Sequence, residues 1–523
     1  MRLLPYGDRA VLVELPDLDS TLRLAAAVDA ADLPGVVDVV PAERTVLVTT
    51  SGDPAELGRV LVALPDGELP GGSTDDVIEV AVTYDGPDLA HVASLTGLDP
   101  AQVVAAHTGR PWVAAFCGFL PGFTYLVGGD ERLRVPRRDD PRPRVPAGSV
   151  GLAEGYSGVY PRSTPGGWQL IGRTDALLWD PDADPPTRLR PGATVRFVDA
   201  ASGPPGSVRG GPDPIGGHRG HPEPIGSGSA VEVLATGPSV LVEDLGRPGL
   251  AHLGVGRSGA ADRGAHALAQ RLVANDEGSA GLEVVLGGLR LRARGDLLVA
   301  VTGARAPLSV NGRAVAHAAP FTVRHGQELA LGAPHLGLRS CVAVRGGLEV
   351  DAVLGSRSTD VLAGLGPPPV AAGDVLAVGA PPGRWPVVDV APYAEPSADT
   401  VLLTVTPGPR ADRLTDPAAL LDTTWTVSPD SDRVGLRLQG PPLRTTHDPH
   451  EPLPSEGILP GALQVPPGGH PVVFLADCPV TGGYPVVAVV RDTDVLAQVR
   501  PGQQVRFRRG ERREMTRVEF NPV

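Results

Sequence analysis

A mainly β protein with an N-terminal α+β module is what this 523-residue sequence predicts, on three observations. The chain carries 67 glycines and 57 prolines, nearly a quarter of its length. Glycine supplies positive φ and proline pre-sets φ, so this content favours turns and short strands over long helices. From residue 230 onward, apolar residues come in short runs between Gly/Pro turns, the spacing of sandwiches or barrels. Finally, a set of landmarks recurs. Arg190-Pro191-Gly192-x-x-Val195-Arg196-Phe197 returns as Arg500-Pro501-Gly502-x-x-Val505-Arg506-Phe507. Pro165-Gly166-Gly167-Trp168 returns as Thr481-Gly482-Gly483-Tyr484, and Gly148-Ser149-Val150 as Gly461-Ala462-Leu463. Landmarks repeated in one order predict that the ends of the two halves share a fold.

The length calls for two to four domains. Residues 1–83 read as the α+β module. Residues 9–15 alternate as a strand, and residues 21–32 form a helix capped by Ser20 and ended by Pro34. Residues 36–40 and 45–50 are two further strands. Asp53 caps a second helix, with Pro54 at its first position, that runs to about residue 64. Residues 77–84 supply a fourth strand. This β-α-β-β-α-β order is that of a ferredoxin-like fold. Residues 84–201 begin with two short helices, 88–96 and 100–107, and continue as strands and turns. Residues 202–229 are rich in Gly, Pro and Ser without apolar periodicity and read as a linker; its His218 and His221 have no further ligands beside them. Residues 230–395 and 396–523 form two more strand-rich domains, interrupted by a helix at 262–274 capped by Asp262 and a helical turn at 416–421.

Composition excludes several chemistries. A net charge of -14 repels phosphate backbones, so nucleic acid is not expected as a partner. All 46 basic side chains are arginine, which leaves no Schiff-base lysine, no P-loop lysine and no attachment site for biotin. Cys117, Cys341 and Cys478 are far apart and form no C-x-x-C pair, so neither a metal site nor a disulfide framework is expected. The N-terminus lacks the apolar stretch of a signal peptide, and no run approaches the roughly 20 apolar residues of a membrane span. A cytoplasmic protein without membrane contact is the expectation.

The densest polar constellation is Arg132, Arg134, Arg137, Arg138, Arg142 and Arg144, interleaved with prolines. Arginine forks bind carboxylate or phosphate bidentately, and a stiff loop loses less entropy on binding. These residues read either as an anion site for a nucleotide phosphate or acidic substrate, or as a solvated loop partly neutralised by Asp139 and Asp140. The pairs Gly166-Gly167 and Gly482-Gly483 let backbone N–H groups converge on an anion, with Trp168 and Tyr484 as walls, or else make tight turns. Glu243 and Asp244 stand beside Arg247 in a turn. Ser258 to Asp262 opens a helix whose N–H groups suit an anion, unless Asp262 simply caps it. Glu456 lies in a Ser-Glu-Gly turn. Asp477 follows the apolar run 472–476, where desolvation would raise its pKa and suit it to acid/base work. Cys478 beside it has no evident histidine partner. No G-x-x-x-x-G-K-[ST] loop is present.

Longer motifs carry a resemblance. Residues 1–200 resemble the family of KipI and the B-type subunit of 5-oxoprolinase through Gly7-Asp8-Arg9-Ala10, GFLPGFTYL (118–126), VPRRDDPRPRVPAGSVGLAEGYSGVYP (135–161) and TPGGWQLIGRT (164–174). Residues 230–523 resemble the family of KipA and the C-type subunit of 5-oxoprolinase through EDLGRPG (243–249), SGAADRGA (258–265), LVANDEGSAGLE (272–283), RGGLEVDAVLGSRST (345–359), SDRVGLRL (431–438), SEGILPGALQVP (455–466) and TGGYP (481–485). Both also resemble the carboxyltransferase region of urea carboxylase. The resemblance implies one cyclophilin-like barrel in the first half and two in the second. It implies a component of ATP-dependent 5-oxoprolinase, which hydrolyses 5-oxo-L-proline to L-glutamate with a separate LamB/YcsF-type partner, ATP and Mg2+. A homo-oligomer is compatible with it. The candidate set is then Asp477, Glu456 and Asp244 for catalysis. For substrate or nucleotide it is Arg137, Arg144, Ser149, Gly166, Gly167, Trp168, Arg247, Ser258, Asp262, Gln464, Thr481, Gly482, Gly483 and Tyr484. Two other functions stay open: a KipI/KipA-type regulator of a histidine kinase, and a carboxyltransferase working with separate biotin proteins. Fusion weighs against the regulator, because a tethered antagonist is always present at high effective concentration. In one departure from the family pattern, Glu243 stands where glutamine is common.

Overall fold

Strands Arg2–Tyr6, Ala10–Glu14, Thr45–Thr50 and Val36–Pro41 form, in that spatial order, an antiparallel sheet at the N-terminus of the computed structural model. The structure describes residues 1–65, 67–68, 77–202, 228–446 and 453–510. Of the expected linker, 203–227 lies outside the described residues, His218 and His221 included. The sheet is covered on one face by helices Leu18–Ala30 and Pro54–Ala63, against Leu3, Val11, Val13, Val46 and Val48. The second helix starts as expected, with Asp53 accepting the Ala55 N–H at 2.9 Å. The first starts earlier: Asp17, not Ser20, is its cap and accepts the Ser20 N–H at 2.8 Å.

The expected β-α-β-β-α-β order is corrected to β-β-α-β-β-α. Val77–Val82 is absent from this sheet and pairs in parallel with Thr194–Asp199 instead. The edge place is taken by Arg2–Tyr6, joined to the next strand through Gly7 at φ +69°. Pro5 disguised that strand, since proline is tolerated only where its missing N–H is not needed, as on an edge.

Two barrels follow one plan. In the first, neighbouring strands run Val77–Val82, Thr194–Asp199, Trp112–Cys117, Thr124–Val127, Tyr156–Val159, Ser149–Ala153 and Gln169–Arg173. Its ends are joined by the Thr83–Arg173 bridge, with reciprocal N–H to O=C bonds of 2.8 and 2.9 Å. In the second, closed barrel the order is Val401–Pro407, Gln504–Arg509, Trp425–Val427, Gly435–Gln439, Val472–Phe474, Ala462–Gln464 and Val486–Val490. The correspondence is strand for strand, including one parallel pair made by the first and last strands. The repeated Pro-Gly turns place Gly192 at φ +88° and Gly502 at φ +80° just before those last strands. The indoles of Trp112 and Trp425 each donate to a carbonyl five residues upstream, that of His107 at 3.0 Å and that of Leu420 at 3.2 Å. Each barrel also carries a two-stranded ribbon: Arg142–Val145 with Thr164–Gly166, and Glu456–Gly457 with Thr481–Gly482.

Between them, the barrel expected over 230–395 is instead a sandwich of one seven-stranded and one five-stranded sheet. Val231, Val233 and Leu291 of the first sheet and Val240, Leu282 and Val342 of the second fill one core, as alternation directs. Helix Arg263–Leu272 covers the other face of the five-stranded sheet, where Ala269 and Leu272 meet Ala300, Cys341 and Ala343.

The N-terminal module docks on the second barrel. Leu4, Tyr6, Leu12 and Leu47 pack against Ile458, Phe474, Val486 and Val489, which explains why Ala10–Glu14 is apolar on both faces. Among the described residues no helix is long and apolar enough to cross a membrane.

Candidate functional site

The first barrel's ribbon borders an open groove of about 490 Å³ lined by Pro143, Arg144, Ser163, Thr164 and Pro165. Arg144 is exposed and, among the described residues, has no ion-pair partner. Of its neighbours in the arginine-rich stretch, Arg132, Arg138 and Arg142 are engaged. Arg138 donates to Asp88 at 2.9 Å, and Arg142 grips the same carboxylate at 2.7 and 2.8 Å. Leu170 N–H adds a fourth bond to Asp88 at 2.7 Å. Burial opposes ionisation of Asp88, but these partners hold its pKa below the ordinary range. The neutralising acid for these two arginines is therefore Asp88; Asp139 and Asp140 were the acids the local sequence suggested. Arg132 pairs with Asp130 at 2.6 Å.

Around the groove the remaining residues serve packing. A Cβ at Gly166 would stand 2.6 Å from the Tyr160 hydroxyl, so this close approach requires glycine. Gly167 O accepts the Arg138 N–H at 2.8 Å. Trp168 is only 4% exposed and lies edge-on to Phe123 and Tyr125, in the barrel's aromatic cluster. Ser149 is buried, and its carbonyl accepts the Tyr160 N–H at 2.9 Å. Arg137 is exposed and faces the buried Tyr125 phenol, which Ser455 of the second barrel's ribbon approaches as well.

That second ribbon is occupied by protein. Thr481 Oγ accepts the Phe119 N–H at 3.0 Å, so the loop 118–122 of the first barrel sits on it. Gln464 donates to Tyr484 O at 3.0 Å, and a Cβ at Gly482 would fall 2.9 Å from the Gln464 amide nitrogen. Gly483 is half-buried beside it, and the Tyr484 side chain points outward at 42% exposure. Glu456 is bound by Arg410, which also reaches Glu14 of the N-terminal module at 2.7 Å. Burial raises the Glu456 pKa in spite of Arg410, and its Oε2 is buried without a partner.

The third group lies in the seam between sandwich and second barrel. Arg433 donates to Asp477 through Nε at 2.9 Å and Nη2 at 3.0 Å. It also reaches Gly259 O at 2.7 Å, Glu283, and Glu243 at 3.2 Å. Ser258 Oγ donates to Asp477 at 2.7 Å, and Val361 N–H at 3.0 Å. Arg339 lies 3.3 Å from Glu283. Two arginines thus face three carboxylates, all nearly inaccessible. Burial pushes the Glu243 pKa well up, and its oxygens accept no hydrogen bond; Arg433 and Arg339 overcome burial to hold Glu283 low. The expectation of Asp477 as a free acid/base group is corrected: four donors saturate its carboxylate, an arrangement that joins two domains.

Other seam residues are similarly committed. Asp244 accepts from Gly246 N–H, Ser356 Oγ and Arg357 N–H, each at 2.7 Å, and from Ser358 Oγ. Burial opposes its ionisation, but these bonds hold its pKa below the usual carboxylate range. That corrects its assignment as a catalytic group. Asp262 caps its helix through Ala265 N–H at 2.8 Å and takes a bond from Gln498 at 2.5 Å; burial pushes it up to about 7. The expected anion position at this helix start is filled by Asp494, which accepts from Arg263 and Gly264 N–H at 2.9 and 3.1 Å. Arg247 donates to Val353 O at 3.0 Å and Ser358 O at 2.5 Å, while its Nη1 is buried without a partner.

The candidates therefore fall into three places, the open groove of the first barrel, the covered ribbon of the second, and the seam between sandwich and second barrel, and Arg144 is the member of the set left open to solvent with a groove before it. Arg433, Glu283 and Asp360 were missed. Arg433 stood within SDRVGLRL, but an arginine before a strand looks solvated until the opposing domain is seen. Among the described residues no three His, Cys, Asp or Glu side chains are grouped to hold a metal ion.

Comparison with known proteins agrees with this architecture. The family model "Carboxyltransferase domain, subdomain C and D" matches residues 1–189, and "Carboxyltransferase domain, subdomain A and B" matches residues 253–509. The chain is 41% identical over 207 residues to the B-type subunit of 5-oxoprolinase from Escherichia coli, covering 38% of this chain and 95% of that protein. It is 34% identical over 294 residues to the C-type subunit of 5-oxoprolinase from Escherichia coli, covering 53% of this chain and 90% of that protein. Urea amidolyase of Lachancea kluyveri is 30% identical over 325 residues, a match covering 53% of this chain and 17% of that protein. The crystal structure of TTHA0988 superposes with a TM-score of 0.84 at 35% identity, over 96% of this chain and 99% of that one.

Proposed function

The chain belongs to the carboxyltransferase-domain family, and we propose that it works as the B-type and C-type subunits of 5-oxoprolinase fused in one polypeptide. In this reading it joins a LamB/YcsF-type partner protein to hydrolyse 5-oxo-L-proline to L-glutamate at the expense of ATP. The observation that carries the proposal is coverage: one chain spans 95% of a B-type subunit and 90% of a C-type one.

The chemistry gives the open arginine a purpose. An unstrained lactam is a poor electrophile, and ATP supplies a phosphoryl group that would turn its oxygen into a leaving group. Arg144, with the hydroxyls of Ser163 and Thr164, offers the groove a cation and two neutral donors, a set that fits phosphate oxygens. With no lysine in the chain, arginine must supply that charge.

The similarity to urea amidolyase raises a second reading, carboxyl transfer with separate biotin proteins. This chain cannot carry biotin on a lysine. The deciding experiment mixes the full chain with its LamB/YcsF-type partner, 5-oxo-L-proline and ATP. Glutamate release that needs both proteins supports the proposal; no release, together with biotin-dependent carboxyl transfer, rejects it.

A further inference from the structure

We propose that Arg247, Asp360 and Gly256 form the seat for the substrate's carboxylate and lactam N–H, at the point where the sandwich and the two barrels meet. This rests on the 5-oxoprolinase reading and names a subsite within it.

Arg247 is 2% exposed, and two of its guanidinium nitrogens are fixed by the carbonyls of Val353 and Ser358. The direction of Nη1 is thereby set, yet this buried nitrogen donates to nothing. Leaving a buried charged donor unsatisfied is expensive, so such an atom calls for a partner from outside the chain. Of the charges around Arg247, it feels Asp360 most strongly. Asp360 is 3% exposed; its Oδ1 accepts the Ala363 N–H at 2.8 Å, and its Oδ2 accepts no hydrogen bond among the described residues. The two groups nevertheless form no ion pair with each other. A buried donor without a partner and a nearly inaccessible carboxylate thus feel each other's charge without pairing.

The region around them has walls from all three units. Gly256 belongs to the sandwich half; a Cβ there would be 3.9 Å from Asp360 Oδ2 and 3.2 Å from Cys478 O of the second barrel. Arg162 of the first barrel donates to Leu362 O at 2.7 Å and feels the Asp360 charge. Burial and the neighbouring Asp477 push Asp360 up to about 6, so it is mainly ionised at neutral pH and accepts an N–H. Arg247 Nη1 suits a carboxylate. 5-Oxo-L-proline presents both groups on one small ring, and a seat built from three units would need the B- and C-type halves together.

The test uses the full chain assembled with its LamB/YcsF-type partner, with steady-state kinetics at saturating ATP. Asp360→Asn removes the carboxylate's charge; Gly256→Ala keeps every polar group and adds a methyl group 3.9 Å from Asp360 Oδ2, so it decides if the first variant fails to fold. Each variant is expected to raise KM for 5-oxo-L-proline at least tenfold while KM for ATP stays at the wild-type value. Turnover with an unchanged KM for 5-oxo-L-proline in the folded variants would overturn the seat alone. Absence of turnover in the wild-type complex would reject the parent reading and the seat with it.

Discussion

In the first barrel, the ribbon Arg142–Val145 and Thr164–Gly166 leaves Arg144 exposed over a groove of about 490 Å³. In the second, the matching ribbon is covered: Thr481 takes the backbone of Phe119, and Glu456 is tied through Arg410 to Glu14. The aromatic that follows each glycine pair is reversed too, with Trp168 at 4% exposure inside the first barrel and Tyr484 at 42% outside the second. Strand order is the same in both. The backbone plan therefore leaves the use of the ribbon undecided, and the partner that docks on it decides. One copy is left open to solvent and the other is an internal joint.

The sharpest way to break the wider contrast between the open first barrel and the buried joints is to remove the central cation of the seam between sandwich and second barrel. Arg433→Met strands Asp477 and Glu283 in a buried seam, and breaking a buried pair from one side costs about 3–5 kcal/mol. The counterpart, Arg142→Met, removes two bonds from the buried Asp88 but leaves it Arg138 and the Leu170 N–H, and is expected to cost less, about 1–3 kcal/mol. Thermal unfolding of the two variants side by side checks this, and equal losses would dissolve the distinction. Next, Trp168→Ala empties a packed aromatic cluster and is expected to cost about 3 kcal/mol, against less than about 0.5 kcal/mol for Tyr484→Ala. Denaturation midpoints measure both.

A smaller effect depends on pH. Burial raises Asp262 from 3.8 to about 7, so the folded state holds a proton that the unfolded chain releases. Its contribution to stability is fully present below about pH 4 and falls as pH rises towards 7. Asp262→Asn is expected to remove that part of the slope when melting temperature is followed from pH 5 to 8. The variant also sets an amide donor against the Gln498 amide nitrogen, whose oxygen is held by Leu338 and Arg339 N–H, and loses about 1–3 kcal/mol. A slope identical to that of the unaltered protein would contradict the assignment.

What the sequence revealed about this molecule was local. Asp53 with Pro54, the Pro-Gly turns before Thr194–Asp199 and Gln504–Arg509, and the helix start at Asp262 are set by neighbours a few residues away, and each stands where its pattern put it. The failures share a cause in distance. Val77–Val82 alternates like any strand, but its parallel partner begins at Thr194. Closure separates a barrel from a sandwich, and no short pattern in 230–395 encodes it. Asp88 meets Arg138 across 50 residues, so Asp139 and Asp140, nearest in sequence, were credited instead, and Glu283 meets Arg433 across 150, so neither was singled out. Asp477 was rightly placed in a dry setting, but the donors that saturate it come from other parts of the chain.

The most direct test of the open-ribbon claim is the kinetics of Arg144→Ala in the complex with the proposed LamB/YcsF-type partner. Because Arg144 is exposed and without an ion pair among the described residues, the account predicts an unchanged melting temperature. It also predicts a fall in kcat/KM of at least tenfold, about 1.4 kcal/mol of barrier. A folded variant with wild-type kcat/KM would contradict it.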